Sequence, residues 1–115
     1  MKKLMYFGLL FCLHICVAQS DVDYENTMKT IIDSYNSNDA QKVFDQFSTD
    51  LQATFTIDKV KEFLTKTLED QGKFSEFDLM DQDGGYRYLV QSENDSIILV
   101  LVLSVDLKLT KFAVE

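Results

Sequence analysis

"VKEFLTKTLEDQGKFSEFDLM" (residues 60–80) carries the change of period on which the fold turns. Before Gly72, the residues Val60, Phe63, Leu64, Thr67 and Leu68 recur at the spacing of one helical face. After it, Phe77 and Leu79 alternate with Glu76 and Asp78, the period of a half-buried strand. Thr56 is placed to cap the helix, and Gly72 to end it, because a glycine adopts the left-handed turn past a last helical residue without a steric penalty. The chain therefore passes from helix to strand at one glycine.

Upstream the periodicity is helical. Tyr24, Met28, Ile31, Ile32 and Tyr35 form one apolar stripe in the segment 21–35, with acids at its start, where they favour the helix dipole. NSND (36–39) interrupts it. Asn38 is the expected N-cap of a second helix from Asp39 to about Phe47, with Ala40, Val43, Phe44 and Phe47 on one side. Residues 48–55 read either as a helical turn or as a short extended piece. Downstream the period stays at two. Strands are expected over 73–80, 86–93, 96–105 and 109–114, joined by turns at DQDGG (81–85), Asn94-Asp95 and Asp106 to Lys108. Three helices followed by a four-stranded antiparallel meander predict an α+β domain, with the helices on one sheet face.

SIILVLVLSV (96–105) departs from simple alternation. Ile97, Leu99, Leu101, Leu103 and Val105 form one row. Ile98, Val100 and Val102 form the other, and it is apolar too. Such a strand is either covered on both faces by its own chain or carries an apolar stripe that meets a second copy or another protein. Ile98, Val100 and Val102 are thus the candidate interface, and a homodimer through the sheet face or a protein outside the cytoplasm the candidate partner.

The N-terminus reads as an export signal. Two lysines precede an apolar run from Leu4 to Val17, Ala18 ends it, and acidic sequence follows. The run falls short of the roughly 20 residues that span a bilayer. Cleavage after Ala18 leaves one domain, residues 19–115, in a periplasmic or extracellular setting with no stable membrane anchor. Lipid attachment at a cysteine fits badly, because Phe11 precedes Cys12 and Ile15 precedes Cys16. A Cys12-x-His14-x-Cys16 metal site fits badly as well, since no other His or Cys exists to complete it.

Cleavage would remove both cysteines and the only histidine. Removing Lys2 and Lys3 leaves nine basic residues against nineteen acids, a net charge of about −10. That charge disfavours nucleic acid and anionic lipid. Without His or Cys, the Ser-His-Asp and Cys-His constellations have no members. Neither G-x-S-x-G nor S-x-x-K occurs, and no glycine-rich phosphate loop is present. No cofactor is implied, and only carboxylate or tyrosine chemistry is left.

The stretches FDQFSTDLQATFTIDKVKEFLTKTLEDQGKFSEFD (44–78) and LVLSVDLKLTKFAVE (101–115) resemble a bacterial family of secreted domains of unknown function. Members occur alone or in front of serine hydrolases and α/β-hydrolases, and the family is similar to the nuclear transport factor 2-like, cone-shaped superfamily. The resemblance implies that fold and an exported setting. It implies no catalytic residue, because the matching positions are core and cap positions.

Several features compete as sites. Asp81, Asp83 and Gly84 suggest a calcium loop, but alignment to an EF-hand puts Leu79 at its first position and Val90 at its twelfth, so a hairpin turn is the better reading. Tyr35, Phe63, Tyr86 and Tyr88 are the candidate ligand-binding residues, as apolar rings with polar tips around a cone. Phe44, Phe47, Phe55, Phe74 and Phe77 would line such a cavity or simply pack the core. Asp78 with Tyr35 or Tyr88 would imitate the base and oxyanion donor of a ketosteroid isomerase. The leading expectation is a non-catalytic exported binding or association module. A carrier of a small apolar ligand is the alternative, and the isomerase a remote one.

Overall fold

The computed structural model describes residues 21–82 and 85–115. The expected signal segment and its cleavage point lie outside the described residues, as do Asp83 and Gly84 of the expected turn. Among the described residues, four helices precede four strands: α1 (Asp21–Asn36), α2 (Ala40–Asp45), α3 (Thr49–Thr54), α4 (Ile57–Gln71), β1 (Phe74–Asp81), β2 (Tyr86–Ser92), β3 (Ser96–Leu103) and β4 (Leu109–Val114). The strands pair in the order β1-β2-β3-β4, each antiparallel to the next. The domain is α+β, as the two periods predict.

The helix count differs from the expected three. Residues 48–55 resolve as a helix because the Ser48 hydroxyl accepts the Leu51 amide and caps α3. The second helix is also shorter than expected. Asn38 stands at φ 55°, a conformation asparagine tolerates, and Asp39 is the cap instead, accepting the Lys42 amide. The chain leaves α2 before Phe47 because Phe47 bridges to Leu109: the Ser48 amide donates to the Leu109 carbonyl and the Leu109 amide to Gln46. β3 likewise stops at Leu103, two residues early. Ser104 already belongs to the turn, where its amide donates to Lys108, and Val105 is left exposed.

The stripe on α1 is the spine of the core. Tyr24, Met28, Ile31, Ile32 and Tyr35 are all buried against the sheet. Across the sheet the inward row is Val90 and Tyr88 on β2, Leu99, Leu101 and Leu103 on β3, and Leu109 and Phe112 on β4. On β1 a bulge between Phe74 and Glu76 shifts the alternation by one, so Phe74 and Phe77 both turn inward although three residues apart. α4 closes the other flank through Val60 and Leu64.

Gly72 ends α4 at φ 81° and donates its amide to the Leu68 carbonyl. A Cβ there would lie 2.8 Å from Cβ of Glu93. Gly72→Ala is therefore expected to lower unfolding stability by about 1–2 kcal/mol, from the left-handed backbone and the clash together. Urea unfolding with an unchanged m-value measures it.

Candidate functional site

The four candidate ligand residues do not share one site. Tyr35 and Tyr24 stand eleven residues apart on α1, about 16 Å along its axis. Tyr35 stacks on Phe74, with centroids 3.8 Å apart, and its hydroxyl donates to the Gly72 carbonyl at 2.7 Å. Burial raises its pKa to about 12, with the Glu93 charge adding to the effect. At the other end of the helix, Tyr24 stacks on Tyr86 at 3.6 Å and accepts the Leu103 amide. Tyr86 donates to Asp21 at 2.6 Å, and that hydrogen bond, with burial behind it, pushes its pKa to about 12. Tyr88 is buried edge-on to Phe77, and burial pushes its pKa well up. Three of the four thus hold α1 on the sheet or pack the core beneath it.

Phe63 belongs to a different place. It lies on α4 beside Phe55, and both rings meet Phe112, which in turn meets Phe47. The phenylalanine rings thus fill the space between α3, α4 and β4 by contacting one another. At the outer surface of this cluster a groove of about 380 Å³ runs between α3 and α4. Leu51, Phe55 and Phe63 form its apolar floor, and Lys59, Glu62 and Lys66 line it from one side of α4. Lys59 donates to the Thr54 carbonyl, which holds the loop between the helices. The sequence named Phe63 and Phe55 but not Leu51 beside them, because the segment 48–55 had no clear period.

A second cleft, about 270 Å³, opens between the first turns of α1 and β1. Asp21, Glu25 and Asp78 surround it, and Phe77, Leu79 and Tyr88 line it. Asp78 borders this cleft from β1, but it alternates with Phe77 and Leu79 and so falls on the other sheet face from Tyr88, whereas Tyr35 lies at the far end of α1. Among the described residues no Asp or Glu is buried, and no group of three metal-binding side chains gathers.

The sheet's outer face carries Ile98, Val100 and Val102. Val100 is only 2% exposed, while Ile98 and Val102 are half-buried. Arg87 explains part of the difference. It pairs with Val100 on the neighbouring strand, and its guanidinium meets both Asp81 and Glu115 at 2.6 Å. Arg87 and Glu115 flank β3 from opposite sides, two strand spacings or about 10 Å apart. The ion pair between them has to pass over β3. Gly85 also approaches, since a Cβ there would sit 2.9 Å from Val102 and 3.2 Å from Val100. The second apolar row is thus partly covered by its own chain.

No family model, curated protein or solved structure matches the chain. What the molecule does has to be read from these surfaces.

Two outcomes check the tyrosine assignments. Tyr35→Phe leaves the Gly72 carbonyl without its partner and should cost about 1–2 kcal/mol in urea unfolding. The raised phenol pKa values also set an alkaline limit. Below the unfolded value near 10 both states are protonated and no stability is lost; as pH rises towards 12 the unfolded chain ionises first and stability falls. The alkaline fall should therefore begin near pH 10 and be shallower in Tyr35→Phe and Tyr86→Phe.

Proposed function

We propose that this chain is a non-catalytic binding module that works outside the cytoplasm, and that the groove between α3 and α4 takes an apolar chain with an anionic head. The observation that carries it is the groove's composition: an apolar floor of Leu51, Phe55 and Phe63 beside Lys59 and Lys66. Its volume falls within the range of small-molecule sites, and two ammonium groups next to apolar surface suit a carboxylate-bearing amphiphile. Glu62 between them limits the net attraction and restricts where a head group fits.

The absence of a buried carboxylate among the described residues supports the non-catalytic half. The Tyr35 hydroxyl, one of the two candidate donors of an isomerase-like arrangement, is engaged by the Gly72 carbonyl. The exported setting rests on the N-terminal sequence pattern and on the resemblance to secreted domains of the nuclear transport factor 2-like type. Association through Ile98, Val100 and Val102 is the second reading. It is favoured by the half-exposed Ile98 and Val102, and opposed by the Arg87–Glu115 pair across the strand.

Titration with a fluorescent dansyl undecanoate tests the groove. Saturable binding should weaken about tenfold or more in Phe63→Ser, from lost apolar contact, and a few-fold in Lys66→Glu, with unchanged circular dichroism. Equal binding by all three proteins would refute the site. Sedimentation of the unliganded protein addresses the second reading: a concentration-dependent dimer that Val102→Lys abolishes would favour the sheet face over the groove.

A further inference from the structure

We propose that the outer edge of β1 is a docking strand for an extended, basic segment of another protein. The inference stands independently of the amphiphile groove, which lies between other elements.

The first observation is the state of the edge. Among the described residues β1 is the first strand of the sheet and pairs only with β2. Its start is closed: Asn36 donates to the Phe74 carbonyl and accepts the Phe74 amide, as a neighbouring strand would. Beyond Asn36 the direction of the backbone follows from the ladder. The Ser92 amide donates to Asp95, away from β1, so Phe74 and Ser92 are not bonded to each other. Alternation from that pair along β2 makes Asp78 and Leu89 a bonded pair, and turns the amides and carbonyls of Phe77 and Leu79 outward. Two donors and two acceptors therefore face the open side at the spacing that an added strand uses.

The second observation is what flanks that edge. A strand added beside Phe77 and Leu79 would send every other side chain towards the helix side, into the cleft of Asp21, Glu25, Phe77, Leu79 and Tyr88. The remaining side chains would fall beside Asp78 and Glu76 on the other face. Leu79 is 40% and Met80 46% exposed, so apolar surface is available to the stem of a long side chain. A lysine or arginine fits both rows, with its stem on the aromatic floor and its charged end at a carboxylate.

The third observation weighs against the simplest competitor in the two registers that use Phe77. A second β1 would use the same outward groups. Pairing Phe77 with Phe77 sets Asp78 opposite Glu76 of the copy, and pairing Phe77 with Leu79 sets Asp78 opposite Asp78. Like charges directly opposite each other destabilise a ladder. The same carboxylates that repel a copy attract a basic strand, so the edge selects its occupant by charge.

The test uses the purified protein and a synthetic peptide of about seven residues, the usual strand length, alternating lysine and valine. Binding is read by isothermal titration and by amide chemical shifts. The expected result is a Kd below about 100 µM, shifts centred on residues 76–80, and weakening as salt is raised. A peptide N-methylated at alternate amides should bind at least about tenfold more weakly, and the glutamate-valine counterpart should not bind. Leu79→Pro removes one outward amide at an edge position where proline is tolerated, and should also weaken binding about tenfold. Glu25→Lys and Asp78→Lys, both exposed, should each weaken it several-fold. Undiminished binding of the N-methylated peptide would reduce the effect to diffuse charge attraction and overturn the proposal. So would shifts confined to other surfaces, binding of the acidic peptide, no binding at all, or a homodimer formed through β1.

Discussion

Everything in this domain depends on how α1 is fastened to the sheet. The helix carries five apolar residues in one stripe, but its two ends are held by aromatic stacks: Tyr24 on Tyr86, and Tyr35 on Phe74. Each α1 tyrosine adds a backbone hydrogen bond that a phenylalanine could not make. One phenol accepts the last amide of β3, the other donates to the carbonyl of the residue that ends α4. With no disulfide among the described residues, the domain relies on burial and on these polar tips. A tyrosine serves both needs, since its ring supplies apolar area and its hydroxyl satisfies a backbone group that would otherwise be stranded.

That arrangement fixes where surfaces are left over. α1 and α4 cover the inner sheet face, and α3 is held beside β4 by the Phe47–Leu109 bridge. The short α3 cannot cover the phenylalanine cluster fully, so the rim of that cluster becomes the groove floored by Phe55 and Phe63. At the opposite side α1 reaches the end of β2 through Tyr86 and leaves the middle of β1 uncovered. The two candidate binding surfaces therefore differ in charge as well as in position. One offers lysines beside an apolar floor, the other carboxylates beside an open backbone.

Much of this was legible in the sequence. The α1 stripe and the change of period at Gly72 each follow from spacing alone, and the structure places both as the periodicity predicts. Where the reading erred, a tertiary contact had won over a local signal. The Phe47 bridge shortened α2, and the turn around Ser104 shortened β3. Asp39 took the cap because Asn38 was needed in a left-handed conformation. The grouping of Tyr35, Phe63, Tyr86 and Tyr88 was not legible, because no spacing rule says which ends of which elements meet. The fate of Val100 depended on an arginine thirteen residues away and a glutamate fifteen away, a long-range pairing that periodicity does not report.

Native-state hydrogen exchange tests the central claim most directly, because that claim divides the molecule into a clasped core and an open edge. The Leu103 amide, bound by the Tyr24 phenol, and the β2–β3 ladder should exchange only through global unfolding, together with the middle of α1. The outward amides of Phe77 and Leu79 should exchange many times faster than their strand neighbours. A fast Leu103 amide, or Phe77 and Leu79 amides protected as strongly as the β2–β3 ladder, would contradict the account.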